Sequence, residues 1–231
     1  MDRNSNKYTI IYASVMVVLV ALVLAFTSQT LKSKQAENEA TDKMSQILRS
    51  ININSSAQDA QSKFKELITD SYLVNIQGDK TEGNAFDAEL SKELLKPESE
   101  RTYPVFEASV DGKKKYILAM SGAGLWGPLW GYISLDEDKN TVYGADFGHA
   151  GETPGLGAEI SQSFFGHSFT GKQFFKDGQF VSIAIVKPGK SEAGRDYVDG
   201  ISGGTITSQG VDAMLYSSIK AYAAFLTKKN N

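Results

Sequence analysis

Between Lys7 and Lys32 no position is charged, and from Ile10 to Phe26 nearly every residue is Val, Leu, Ile, Ala or Met. An uncharged run of that length spans roughly 36 Å as helix, at ~1.5 Å per residue, against the ~30 Å hydrocarbon core of a bilayer. A transmembrane helix is therefore predicted within Tyr8 to Thr30. The pattern then turns to Ala, Glu, Gln and Lys, with Met44, Ile47 and Leu48 on one side, and predicts a helical stalk from Gln35 to Arg49. Asn52 to Ser56 breaks it. From Ala57 to Tyr72, the residues Phe64, Leu67 and Ile68 stand among charges and predict a second amphipathic helix. Asn75 to Glu100 is dominated by charge and by breakers such as Gly78 and Pro97; it reads as surface connection, with at most a short helix near Glu89 to Leu95.

The period changes at Tyr103. Phe106, Ala108 and Val110 alternate, Asp111-Gly112 marks a turn, and Tyr116 to Met120 is a compact apolar run, which together predict a β-hairpin. A second pair is predicted from Gly131 to Leu135 and from Thr141 to Phe147, joined through Asp136 to Asn140. A β-branched run from Gln179 to Val186 predicts a further strand before Pro188. Val211, Met214, Leu215, Ile219, Tyr222 and Leu226 then recur at helical spacing, with Thr207 or Ser208 as the predicted N-cap. Helices before and after a run of hairpins argue for an α+β fold with a mainly antiparallel sheet. The chain is thus divided into a tail (1–7), a membrane helix (8–30), a helical stalk and connecting region (31–100) and a single domain (101–231).

A cleaved signal peptide competes with the anchor, because Arg3 and Lys7 form a basic leader and Val23-Leu24-Ala25 resembles a cleavage site. The apolar stretch exceeds the usual h-region of about 7 to 15 residues, which favours an uncleaved anchor. Either way the remainder is exported. Arg3 and Lys7 before the span nearly balance Lys32 and Lys34 after it, so charge bias does not orient the helix. The short leading tail favours a cytoplasmic N-terminus, and the lack of cysteine points the same way without deciding it.

Composition narrows the chemistry. A net charge of -3 leaves no basic footprint for nucleic acid, and the absence of cysteine excludes disulfides, thiolate metal sites and cysteine nucleophiles. No Gly-x-Gly-x-x-Gly follows a strand and no Walker lysine motif occurs, so neither NADH nor ATP binding by this chain is supported. His149 and His167, the only histidines, lack metal-ligand spacing and read as turn or surface residues. Glu152 and Glu159 could hold a cation only without a defined geometry, so no metal is expected.

Three stretches remain. Gly122 to Tyr132 holds both tryptophans, at 126 and 130, among glycines, and suits either an aromatic plug over the core or a cofactor or partner surface. Glu152-Thr153-Pro154-Gly155-Leu156-Gly157 offers a rigid turn, N–H groups and one hydroxyl, the parts for edging a planar ligand, or is an ordinary turn. Asp199-Gly200-Ile201-Ser202-Gly203-Gly204-Thr205 puts hydroxyls where a helix begins, either as a turn and cap or as a place where a phosphate ester would meet free N–H groups and a positive dipole end.

The last stretch resembles the Asp-x-x-Ser/Thr-Gly-Ala-Thr signature at which a flavin transferase esterifies FMN to the final threonine. Gly204 stands at the alanine and loosens the turn. Gly-Leu-Trp-Gly-Pro-Leu-Trp-Gly-Tyr, Glu-Thr-Pro-Gly-Leu-Gly-Ala-Glu and the threonine signature, in that order after one N-terminal span, resemble the C subunit family of Na+-translocating NADH:quinone reductases over nearly the whole chain. The G subunit of the Rnf electron-transport complex resembles it in the second and third motifs only.

The resemblance implies a membrane-anchored flavoprotein that relays electrons inside a multisubunit redox pump of a bacterial inner membrane, with its FMN-binding domain on the periplasmic side. It implies FMN held covalently on Thr205 and bordered by Asp199, Ser202, Gly203 and Gly204. Glu152, Thr153, Gly155, Leu156 and Gly157 would line a second edge, with Thr153 the hydrogen-bond donor, and Leu125 and Trp126 a third. No catalytic side chain is implied. The implied partners are the other membrane subunits, a flavin transferase for maturation and membrane lipid. The alternatives are an Rnf G-like flavoprotein and a non-catalytic anchored assembly module whose glycine belt docks a protein.

Overall fold

A computed structural model describes residues 5–228; Arg3 and most of the predicted tail lie outside the described residues. The chain forms two compact units, one up to Lys43 and one from Met44 onward. The first is the greater part of α1, a single uninterrupted helix over Asn6–Ser50. No residue of its most apolar stretch is buried, and it is long and apolar enough to cross a membrane.

The second unit is built on a six-stranded antiparallel sheet. α1 is followed by a turn at Ile51 and Asn52, where Asn52 has φ +62°. Then come α2 (Ala60–Leu67), β1 (Ile68–Val74), β2 (Lys80–Thr81) and the short α3 (Leu90–Glu93). Next are the long strands β3 (Tyr103–Val110), β4 (Lys113–Ala123), β5 (Pro128–Leu135) and β6 (Val142–His149). A short helix α4 (Ser163–His167) leads to three small strand pieces, β7 (Phe175–Lys176), β8 (Gln179–Phe180) and β9 (Ala184–Val186). The chain closes with β10 (Tyr197–Asp199), α5 (Thr205–Ala221) and α6 (Ala223–Thr227). The spatial order of the sheet is β2-β1-β3-β4-β5-β6.

Both faces of the sheet are covered, which is why β3, β4 and β5 read as nearly continuous apolar runs. On one face Phe106 meets Phe64 of α2 and Tyr132 of β5 edge-on. The buried Ile47, Leu48 and Ile51 at the end of α1 join the same core. Arg49 pairs there with Asp146 of β6 at 2.8 Å, and Trp130 donates its indole N–H to Gln46 at 3.0 Å. Burial pushes the Asp146 carboxyl up, and Arg49 pulls it part of the way back. On the other face lie α5 and α6. The Tyr222 hydroxyl donates to the Pro104 carbonyl at 2.9 Å, and its ring lies against Tyr103.

Four departures from the sequence pattern have physical causes. The helix expected over 57–72 stops at Leu67, because residues from Ile68 pair with β3 and that long-range ladder overrides the local period. Residues expected in stalk and connection thereby enter the sheet. The glycine belt is no long loop: β4 runs on to Ala123 and β5 starts at Pro128, leaving only 124–127 as a hairpin tip closed by Gly124 N–H to the Gly127 carbonyl at 2.8 Å. The strand expected over 179–186 is two pieces broken at Ser182, which has φ +60°, and β9 pairs in parallel with β10. Finally α5 begins at Thr205, earlier than the caps expected at Thr207 or Ser208.

Candidate functional site

Gly204 is the N-cap of α5 and offers no side chain, so the first turn is open to a ligand. Thr205 and Ile206 are exposed there. The hydroxyls expected to cap are used elsewhere: Ser208 Oγ accepts the Ile201 N–H at 2.9 Å and holds the preceding turn, while Thr207 points inward and is 2% exposed. Ahead of the helix, Gly203 has φ +75°, a conformation that suits glycine, and a Cβ on it would stand 2.7 Å from Leu156 Cδ2.

The hairpin tip reaches α5 because glycine permits it. A Cβ at Gly122 would lie 2.7 Å from Met214 Cβ, and one at Gly210 would overlap the Ala123 carbonyl oxygen. At the tip, Leu125 and Trp126 are exposed, Trp126 at 67%. The third segment follows β6. His149 Nδ1 accepts the Glu152 N–H at 3.2 Å, Thr153 is exposed, and the 3-10 turn Gly157–Ser161 brings Gly157 against Thr207.

Glu152 lies among the three segments. It is 4% exposed; its Oε1 accepts the Trp126 N–H at 2.9 Å and its Oε2 accepts the Thr207 hydroxyl at 2.5 Å. Burial alone would push its carboxyl up, but the Thr207 hydroxyl, the Trp126 and Leu125 backbone and His149 outweigh it and hold the group below the ordinary carboxylate value. It is therefore ionised at neutral pH.

These segments enclose a pocket of about 230 Å3. Leu125 and Trp126 form one side, Glu152, Thr153, Leu156 and Gly157 a second, and Gly203 to Thr207 the third. Enclosing ligand clefts usually hold roughly 300–1,000 Å3, so a flavin-sized ligand would be gripped at one end and partly exposed. Of the expected site residues, Asp199, Ser202 and Gly155 do not line the pocket. Asp199 is an exposed residue ending β10, Ser202 is exposed in the turn before Gly203, and the Gly155 N–H turns to Glu159 Oε1 at 3.0 Å. Ile206 and Thr207 line it without being expected there. Thr207 has the sequence signature of a cap, and Ile206 shows as a site residue only through its exposure of 54%, which the sequence does not reveal.

The residues fit a phosphate-linked, flat aromatic group. An exposed hydroxyl stands on the first residue of a 17-residue helix, where free N–H groups favour an anion. The exposed Trp126 and Leu156 supply apolar surface for a ring. Gly204 also becomes intelligible. A Cβ there would stand 3.1 Å from Ile201 Cβ and 3.2 Å from the Gly157 backbone, a close approach that alanine would enter only with a small shift.

The model of the FMN-binding domain family matches residues 124–220, which contain all three segments. The C subunit of the Na+-translocating NADH-quinone reductase of Vibrio alginolyticus is 30% identical over 98% of this chain and 96% of its own length. That of Pseudomonas aeruginosa is 30% identical over 93% and 92%. Among solved structures, the C subunit from Parabacteroides distasonis is 60% identical and superposes with a TM-score of 0.83, over 87% of this chain and 98% of its own. Shewanella oneidensis NqrC is 25% identical, with a TM-score of 0.69, over 82% of this chain and 97% of its own.

Proposed function

The chain belongs to the family of C subunits of the Na+-translocating NADH-quinone reductase, and from that premise we propose that it carries FMN covalently on Thr205 and relays electrons within the assembled complex. The observation that carries the reading is the exposed Thr205 on an uncapped helix start, in one pocket with Trp126, Thr153 and Leu156. FMN, when bound, supplies the redox chemistry. The chain's own part is to hold and expose it. Thr205 supplies the ester oxygen, the first turn of α5 supplies N–H groups and a dipole worth ~0.3–1 kcal/mol to an anion there, and Thr153 supplies an exposed hydroxyl toward the ring. Partial exposure leaves an edge open for electron exchange with another subunit.

A flavin transferase acting on an exposed threonine needs no unfolding of the domain, and the position of Thr205 meets that requirement. The intact mass of the native protein tests the reading: the expected result is one FMN per chain, retained after denaturation and mapped to the peptide containing Thr205. An unmodified mass from cells that make the transferase would refute it.

The one helix among the described residues that is long and apolar enough to cross a membrane is the anchor of this reading, and the domain lies on the exported side of the membrane that holds the other subunits. The expected result with sealed, right-side-out vesicles is that added protease digests the domain and leaves the span. Protection there, with digestion in inverted vesicles, would reverse the topology.

A further inference from the structure

We infer that Glu152 is a positioning residue, an anionic clip that ties the hairpin tip to the first turn of α5 so that Thr205 is displayed for modification. The inference rests on the flavin reading of the site. One carboxylate takes one hydrogen bond from each of two segments far apart in sequence, Trp126 N–H at 2.9 Å and Thr207 hydroxyl at 2.5 Å. Its own N–H is fixed by His149 at the end of β6. The protein leaves space for it on both sides. A Cβ at Gly124 would lie 2.5 Å from Glu152 Oε1, and a Cβ at Gly157 would lie 2.6 Å from Oε2. Gly124 of the hairpin tip and Gly157 of the turn after β6 thus leave the space that the carboxylate fills.

Thr207 and Thr205 sit two positions apart at the start of one helix, so the inward bond of Thr207 fixes the rotation of that first turn about its axis. Thr205 is thereby held outward. With Glu152 buried in the pocket wall and both carboxylate oxygens engaged, its place is to support the site. A hydrogen bond to a charged group, buried on both sides, is also stronger than a neutral one.

The experiment uses full-length protein in detergent, produced with and without the flavin transferase. Amide exchange by mass spectrometry on the flavin-free protein is read over peptides covering 122–129 and 203–209, and flavin occupancy is read from the intact mass. Thr207→Val keeps the bulk and removes the donor, while Thr207→Ser keeps the donor and removes bulk. The expected result is wild-type exchange and occupancy for Thr207→Ser, with exchange over 203–209 about tenfold faster and occupancy reduced for Thr207→Val. Glu152→Ala should loosen both peptides. If Thr207→Val matches wild type and Thr207→Ser is the poorer, the residue acts through packing and the clip is refuted. Unchanged exchange in all three variants refutes it as well. Failure of the flavin reading would look different: wild type itself would carry no flavin, and the contrast between valine and serine, measured without flavin, would still decide the clip.

Discussion

Thr205→Ala is expected to give a folded, membrane-bound protein with no covalent flavin and a complex unable to complete quinone reduction. The effect on chemistry is total because the substitution removes the only atom at that position able to form the ester. The effect on stability is small for a separate reason. Thr205 is exposed, the cap of α5 is the backbone of Gly204, and alanine is the better helix former, so the change should stay within about 0.5 kcal/mol. Thr207→Ala separates the two threonines. It leaves Glu152 buried without one of its donors, which costs roughly 1–3 kcal/mol, while the ester oxygen is still present, so flavin occupancy falls only in part. Intact mass and thermal unfolding of the two variants check the pair. FMN retained in Thr205→Ala, or mapped to Thr207, would refute the assignment.

The parts of the fold that are legible in the sequence are those set by local period. All six apolar positions of the last helical stripe, Val211 to Leu226, are buried. The hairpin from Tyr103 and the long apolar helix follow from alternation and from an uncharged run. What is not legible depends on partners distant in sequence. Ile68 to Val74 carries Thr69, Asp70 and Ser71, a polar run with no strand signature, and becomes a strand only because β3 offers its edge. The break at Ser182 is a backbone conformation, invisible in a β-branched run.

The site divides in the same way. Its three glycine-rich stretches can be recognised singly, but their meeting depends on β4 and β5 extending to 123 and 128, and on tight approaches such as Gly210 to the Ala123 carbonyl. The start of α5 misleads because Thr207 and Ser208 look like caps. Each instead finds a tertiary partner, Glu152 and the Ile201 N–H, and glycine serves at the cap. A propensity rule for N-caps weighs side chain against local backbone, and here longer-range bonds win.

Gly157→Ala is expected to be among the most damaging single-methyl additions in the domain, although its backbone is of a kind that alanine tolerates. The new Cβ would overlap Thr207 Oγ1 and stand 2.6 Å from Glu152 Oε2, the two atoms that hydrogen-bond each other. Neither can move away cheaply. Thr207 is β-branched and in a helix, so its χ1 choices are few, and Glu152 is held by the Trp126 N–H. Overpacking costs typically ~1–3 kcal/mol and a stranded buried carboxylate ~1–3 kcal/mol more, so a loss of about 2–6 kcal/mol is expected. Gly155→Ala is the control. Gly155 has φ +73°, where alanine is strained, but its Cβ would meet nothing within 4 Å, so only the left-handed penalty of roughly 1–2 kcal/mol applies. Thermal unfolding of the flavin-free proteins should rank Gly157→Ala clearly below Gly155→Ala, and flavin occupancy should fall in the first alone. Equal losses in both would mean that backbone strain, and not the space around the Glu152 to Thr207 bond, governs this turn.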